Sequence, residues 1–113
     1  MSDRLLASLA ELLGGDREPD DALRGAVRLL ATEPGISWAG IAFLEEGALR
    51  LGPEAGEHAG GELTALPVRF QGDLVGELRV EGGADTALLA RVVELLAGHV
   101  LVGWDTGGEA WEP

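Results

Sequence analysis

The residue best suited to ligand or proton chemistry is His58, which lies beside Glu57 in the glycine-rich stretch from Gly52 to Gly61. An imidazole can donate or accept a hydrogen bond and can coordinate a metal. A flexible backbone could bring His58 to a ligand, but a solvated surface position explains the same pair. No second histidine is near in sequence, so we predict no metal site.

Three charged residues, Arg69, Glu77 and Arg79, form a second candidate group. They fall at alternating positions of two neighbouring strands, which places their side chains on one face of a sheet. Guanidinium groups bind anions through paired hydrogen bonds. We therefore predict that these residues and His58 line a shallow groove for a noncovalently bound anionic small molecule. Cross-strand ion pairing explains the three charges without a ligand, and both interpretations stay open.

Thiol chemistry is absent from this sequence. The chain has no cysteine, which excludes a disulfide, a thiolate nucleophile and a thiolate metal site. No other nucleophile is paired with a base in a recognisable pattern. We predict no catalytic residues, no cofactor and no enzymatic activity.

Charge and hydropathy limit the partners. Twenty acidic and eight basic residues give a net charge of −12, which repels nucleic-acid phosphates and anionic lipids. Arg91, Glu94 and His99 interrupt the longest apolar run, and Met1 to Gly15 lacks the basic start of a signal peptide. We predict a cytoplasmic protein that binds neither nucleic acid nor membrane.

The strongest structural pattern is LTALPVRFQGDLVGELRV, from Leu63 to Val80. Pairing Phe70 with Leu74 across a three-residue turn makes one face of this hairpin apolar, with Leu66 opposite Leu78. A one-residue shift would bury Glu77 and Arg79, at a cost of several kcal/mol. The pattern predicts a half-buried hairpin packed on helices.

The other elements follow from periodicity and from breaking residues. Leucines at helical spacing predict a first helix over Asp3 to Leu13, and Asp20 or Asp21 is the expected cap of a second helix. The remaining predicted segments are a strand at Ser37 to Glu45, a short partner at Ala48 to Leu51, a loop at Gly52 to Gly61, a helix capped by Asp85 or Thr86 that ends near Leu101 or Val102, and a tail at Gly103 to Pro113 in which Trp104 docks on the domain.

This order predicts one α+β domain over residues 1–113. Both tight connections join neighbouring strands, so the sheet is antiparallel, with about four to five strands. The N-terminal and C-terminal helices are expected to pack together on one face of the sheet.

Two stretches resemble a known family. ALPVRFQGDLVGELRVEG followed by an amphipathic helix is similar to the C-terminal half of a GAF domain, and ISWAGIAFLEEGALRL is similar to that family's first strand pair. The resemblance covers about residues 20–102. Typical members insert a lid between the two hairpins where this chain has only Gly52 to Gly61, so it resembles a small, truncated variant. The related roadblock type would need a helix in place of that loop.

The GAF resemblance narrows the function classes. Free methionine sulfoxide reductases of the family use cysteines, bilin-binding members commonly attach the chromophore through cysteine, and cyclic-nucleotide binding is associated with an Asn-Lys-x-Asp-type motif. This chain has no Cys, Asn or Lys. The resemblance then implies either a noncatalytic regulatory or dimerisation module or, alternatively, a sensor of an anionic small molecule.

A leucine stripe on the first helix suggests an interface. Related domains often pair through their first and last helices, and a second copy could cover the surplus apolar surface. We predict a homodimer whose interface includes Leu5, Leu9, Leu12 and His99, although the same leucines could pack on the chain's own sheet. A protein partner of another kind would fit the regulatory hypothesis as well.

Overall fold

The computed structural model describes residues 3–15, 18–83 and 85–109, with side chains described up to residue 100 except at positions 3 and 19. Its elements are α1 (Asp3–Leu13), α2 (Pro19–Ala31), β1 (Ile36–Glu45), β2 (Ala48–Gly56), β3 (Leu63–Phe70), β4 (Asp73–Gly82) and α3 (Thr86–Glu109). In this part of the chain, no helix has the length and apolar composition needed to cross a bilayer.

The four strands form one antiparallel sheet in the order β2-β1-β4-β3. Helix α2 packs against β1 and β2, α3 packs against β3 and β4, and α1 packs across both of these helices. The predicted α+β architecture, with the helices packed together on one face, is confirmed.

The core lies between the sheet and the helices. The strand residues that face the helices are aliphatic and fully buried, among them Ile41, Val68 and Leu78. Leu9 of α1 is also fully buried, because α2 and α3 cover the leucine stripe of that helix. This burial, at roughly 25 cal/mol per Å² of apolar surface, is the main stabilising term for the fold.

The register of the β3–β4 hairpin is confirmed away from the turn, where Leu66 pairs with Leu78. The predicted pairing of Phe70 with Leu74 is wrong. Phe70 pairs with Asp73 across a two-residue turn, and a bulge beside Arg69 restores the register. Two-residue hairpin turns are favoured when both central residues have positive φ, because the turn then twists in the same sense as the strands. Gln71 and Gly72 have φ of 53° and 89°.

Strand β2 is longer than predicted and continues from Leu51 to Gly56. Gly52 and Pro53 break the alternation but sit in a bulge, where the pairing with β1 shifts register. Proline is tolerated there because β2 is an edge strand. The loop between the hairpins is therefore confined to residues 57–62.

The helix ends differ from prediction in two places. Glu18 occupies the N-cap of α2 without a side-chain cap bond, and the predicted caps Asp20 and Asp21 lie in the first turn after Pro19. Proline suits the first helical position, and acidic residues in the first turn favour the helix dipole. Asp85 does cap α3, since its Oδ1 accepts a hydrogen bond from the Ala87 backbone N–H at 3.1 Å.

Helix α3 also continues through Glu109, so the predicted tail is helical over residues 103–109. Its glycines each cost about 1 kcal/mol relative to alanine, which a helix of this length can tolerate. The Trp104 side chain and residues 110–113 lie outside the described residues, so docking of the tail stays a prediction.

Candidate functional site

The candidate site lies on the outer face of the sheet, which we define as the face turned away from the helices. Three residues of β4, Glu77, Arg79 and Glu81, point to this face. Their partners on the central strand β1 are Ala42, Gly40 and Trp38 respectively. The strand pairing therefore aligns three charged side chains beside two small residues and one indole.

Trp38 lies flat on this face. A Cβ at Gly40 would come within 2.7 Å of the indole, so the ring crosses the sheet where only glycine leaves room. The indole Nε1–H donates to Glu54 Oε1 of β2 at 3.0 Å. Trp38 is only 4% exposed and holds a fixed orientation.

Glu81 is the one buried charged residue in the described part of the chain, with 4% exposure. Its Oε1 is 2.5 Å from His58 Nδ1, and its Oε2 accepts the backbone N–H groups of Ala59 at 3.1 Å and Gly61 at 2.8 Å. The His58 hydrogen bond, helped by backbone N–H groups of Gly61 and Gly60, lowers the pKa of Glu81 against the opposing effect of burial. The carboxylate is therefore charged, and both of its oxygens have hydrogen-bond partners.

The loop over residues 57–62 covers this end of the face. The His58 ring lies on the Trp38 indole with centroids 4.4 Å apart and an interplanar angle of 30°. The His58 side chain is 63% exposed, whereas that of Glu81 is 5% exposed. His58 thus forms the outer layer that separates Glu81 and Trp38 from water.

At the centre of the face, Arg79 Nε contacts Glu77 Oε1 at 2.7 Å. The two side chains are 28% and 24% exposed, so the pair is partly shielded. Arg79 pairs with Gly40 of β1 on one side and Ala65 of β3 on the other. The Trp38 ring and Leu51 fill the space over Gly40, so the exposed part of the Arg79 side chain is its access to solvent.

The four predicted ligand residues divide into separate groups. Glu77 and Arg79 contact each other, while His58 belongs to the cluster around Glu81. Arg69 is exposed near the hairpin turn and forms no ion pair with any residue that the structure describes. Ligand binding by these residues stays a prediction.

Sequence reasoning missed Trp38, Glu54 and Glu81 as parts of one cluster. The alternation that places Glu77 and Arg79 on one face also includes Glu81, two residues further along the strand. Nothing in the local sequence indicates that His58, 23 positions before Glu81, returns to pair with it. The site depends on contacts between residues that are distant in sequence, and local residue patterns do not predict such contacts.

The residues predicted for a dimer interface mostly serve this chain's own core. Leu5 and Leu9 are 6% and 0% exposed, and Leu12 is half-buried. His99 Nε2 donates to the Leu13 carbonyl oxygen at 2.8 Å and so satisfies the C-terminus of α1. Little of the leucine stripe is left for a partner, and the homodimer itself stays a prediction.

An open cleft of about 830 Å³ lies on the helical side, between α1, the end of α2 and the start of α3. Its charged lining residues include Arg4 and Asp85, both exposed. Among the residues described, no cluster of three or more His, Asp or Glu side chains is placed to hold a metal ion. The outer face, with its buried carboxylate of perturbed pKa, is the stronger candidate.

No protein-family model matches the chain, and no curated protein matches it by sequence. Solved structures do match. The GAF domain of an Acinetobacter phosphoenolpyruvate-protein phosphotransferase is 14% identical, with a TM-score of 0.75 over 93% of this chain and 96% of that chain.

Two reductases also match. The free methionine-R-sulfoxide reductase of Staphylococcus aureus, in complex with substrate, is 17% identical, with a TM-score of 0.70 over 86% of this chain and 94% of that one. The type II enzyme of Thermoplasma acidophilum is 20% identical, with a TM-score of 0.62 over 81% and 94%.

These reductases contradict the prediction that the chain is not an enzyme. That prediction rested on the absence of cysteine and of a nucleophile paired with a base, and the reductases show that enzymes share the fold. The absence of cysteine still removes a thiolate nucleophile from this chain, but it does not remove other chemistry. At these identities the matches establish the fold, and the chain has a GAF-like fold.

Proposed function

We propose that the outer face binds a small organic anion noncovalently and that Arg79 holds its anionic group. The observation that carries this proposal is the state of the Arg79 guanidinium. Glu77 contacts Nε, and the described residues contribute no further ion pair or hydrogen bond to the group. The Nη atoms remain to form the paired hydrogen bonds that carboxylates and phosphates accept.

Pre-organisation supports this assignment. A guanidinium held in place loses less side-chain entropy when a ligand binds, and partial shielding strengthens its electrostatic attraction. The Glu77 carboxylate and the net charge of −12 both oppose an incoming anion. The ligand therefore needs contacts in addition to its charge.

Those contacts can come from apolar surface on the same face. The exposed large hydrophobic residues of the described chain are Leu51, at 42%, and Leu63, at 58%. Leu51 pairs with Ala42 and Leu63 pairs with Glu81, so both lie on the outer face. We expect a ligand with an anionic head and an apolar body.

The test is a thermal-shift panel of aliphatic and aromatic carboxylates and nucleotides. A ligand at about 100 times its Kd should stabilise the protein by roughly 2.7 kcal/mol, which raises Tm by several degrees. Arg79→Ala should abolish this shift, whereas Arg69→Ala, an exposed arginine on the same hairpin, should preserve it. A panel without hits, or equal loss in both variants, would contradict the proposal.

The reductase neighbours favour a second candidate, catalysis on the bound molecule. Free methionine-R-sulfoxide with a chemical thiol reductant therefore belongs in the panel, with methionine as the measured product. Formation of methionine above the protein-free rate, lost in Arg79→Ala, would extend the function from binding to catalysis.

A further inference from the structure

Three side chains meet at one end of the outer face, and one of them, His58, lies against the other two as a bound ligand would. Trp38 supplies an aromatic face, Glu81 supplies a buried carboxylate, and the His58 ring lies against both. Trp38 and Glu81 come from neighbouring positions of two paired strands. His58 comes from a loop and is the exposed member of the three.

The chemistry of Trp38 and Glu81 selects a flat cation. Indole is the aromatic ring that attracts cations most strongly, and a shielded carboxylate makes the strongest hydrogen bonds to charged donors. A ring tilted by only 30° at 4.4 Å shows that the space over the indole suits a flat group. A protonated imidazole meets each of these requirements.

The loop backbone does not depend on the His58 side chain. Glu81 Oε2 holds the N–H groups of Ala59 and Gly61, while the His58 ring uses Oε1. The loop ends are fixed separately, by the bond from Glu57 N–H to the Ser37 carbonyl and by that from Gly82 N–H to the Glu62 carbonyl. Rotation of the His58 side chain into water would therefore free Oε1 and the indole face without releasing the loop.

We propose that Trp38 and Glu81 form a binding site for a small planar organic cation, of the imidazolium, guanidinium or amidinium class, and that His58 occupies it as an internal ligand. An external cation must displace this ring, so the apparent affinity falls in proportion to the fraction of molecules with an open site. Removing the His58 ring removes that competition. The site is separate from Arg79 and does not depend on the proposed anion binding.

The experiment is chemical complementation of His58→Ala with imidazole below pH 6, and with methylguanidinium, which is charged at every accessible pH. Binding is followed by the NMR signal of the Trp38 indole N–H. We expect dissociation constants in the millimolar range for His58→Ala, about tenfold or more below those of the unmodified chain. Pyrazole, a neutral ring of the same shape, should bind more weakly than imidazole.

Three further variants assign the site. Glu57→Ala changes the neighbouring loop residue and should leave cation binding as weak as in the unmodified chain. In the His58→Ala background, Glu81→Gln should lose at least tenfold in affinity. If the Glu81→Gln variant does not fold, Trp38→Leu provides an independent loss, which is measured by thermal shift because this variant lacks the indole N–H. Arg79→Ala should retain cation binding, which separates this result from the anion test.

Two results would overturn the proposal. One is the absence of any shift in His58→Ala with imidazole or methylguanidinium up to about 50 mM, a range that would detect the weak affinity expected of one stacked ion pair. The other is equal affinity in the unmodified chain and in His58→Ala, which would mean that His58 does not compete for the site.

Discussion

The two faces of the sheet differ in what fixes their side chains. On the inner face, Ile41, Leu78 and Val80 are aliphatic, fully buried and in contact with the helices. On the outer face, Trp38 and Glu81 are also buried, yet each has a specific polar partner. The side chains of the inner face are held by apolar packing against the helices. Those of the outer face are covered by a single loop and held by hydrogen bonds.

This difference separates stability from recognition. An apolar side chain on the inner face contributes to folding stability through the area it removes from water and through close packing. Neither contribution needs one specific polar partner. A buried carboxylate such as Glu81 is tolerated only while donors surround it. Substitution on the inner face should therefore affect stability at every pH, whereas substitution on the outer face should affect ligand binding and the pH dependence of stability.

The same substitution on the two faces tests this comparison most directly. Leu78→Ala removes a fully buried side chain from the inner face and should lower the free energy of unfolding by about 3 kcal/mol, because it leaves a cavity. Leu63→Ala removes a leucine that is 58% exposed on the outer face and should cost less than about 1 kcal/mol. Urea denaturation of both variants measures the difference. Equal losses would show that the outer face carries as much packing energy as the core.

The next test uses the pH dependence of stability. The pKa of Glu81 is lowered from the ordinary value of 4.5, first by the His58 hydrogen bond. A lowered pKa in the folded state means that the charged carboxylate stabilises the fold above the unfolded-state pKa, and that this contribution is lost as pH falls through the folded-state pKa. The urea midpoint of the unmodified chain should exceed that of Glu81→Gln at neutral pH, and the gap should shrink below pH 4.5.

His58→Ala provides the control for this pH effect. It removes the largest cause of the lowered pKa of Glu81. When Glu81→Gln is made in the His58→Ala background, its effect on the urea midpoint should therefore be smaller and less dependent on pH than in the unmodified chain. If Glu81→Gln changes the urea midpoint of the otherwise unmodified chain by the same amount from neutral pH to well below 4.5, then Glu81 has the same pKa in the folded and unfolded states, which contradicts the prediction.

The same contrast explains how much the sequence could predict. The inner face follows from alternation in LTALPVRFQGDLVGELRV, because a shift of one residue would bury Glu77 and Arg79. Strand β1 and helix α1 were likewise predicted to within a residue, since their apolar spacing is regular. Wherever a local period decides between burial and exposure, the sequence is sufficient.

The outer face could be predicted only in part. Glu77 and Arg79 follow from alternation, but the contact between His58 and Glu81 joins a loop to a strand, and its energy comes from partners distant in sequence. The extension of β2 through Pro53 was missed for a related reason. A bulge on an edge strand is selected by pairing with β1, which no local propensity encodes.

The smallest expected effect lies in the β3–β4 turn, where the predicted three-residue loop is replaced by Gln71 and Gly72 at positive φ. Asparagine adopts this left-handed conformation more readily than glutamine, so Gln71→Asn should raise the free energy of unfolding by about 0.5 kcal/mol. Gln71→Val should lower it by about 1 kcal/mol, because a β-branched residue is strained there. Urea denaturation of the two variants should give shifts of opposite sign. Shifts of the same sign would mean that the turn does not hold this conformation in solution, and that the register of the hairpin depends only on the apolar face it buries.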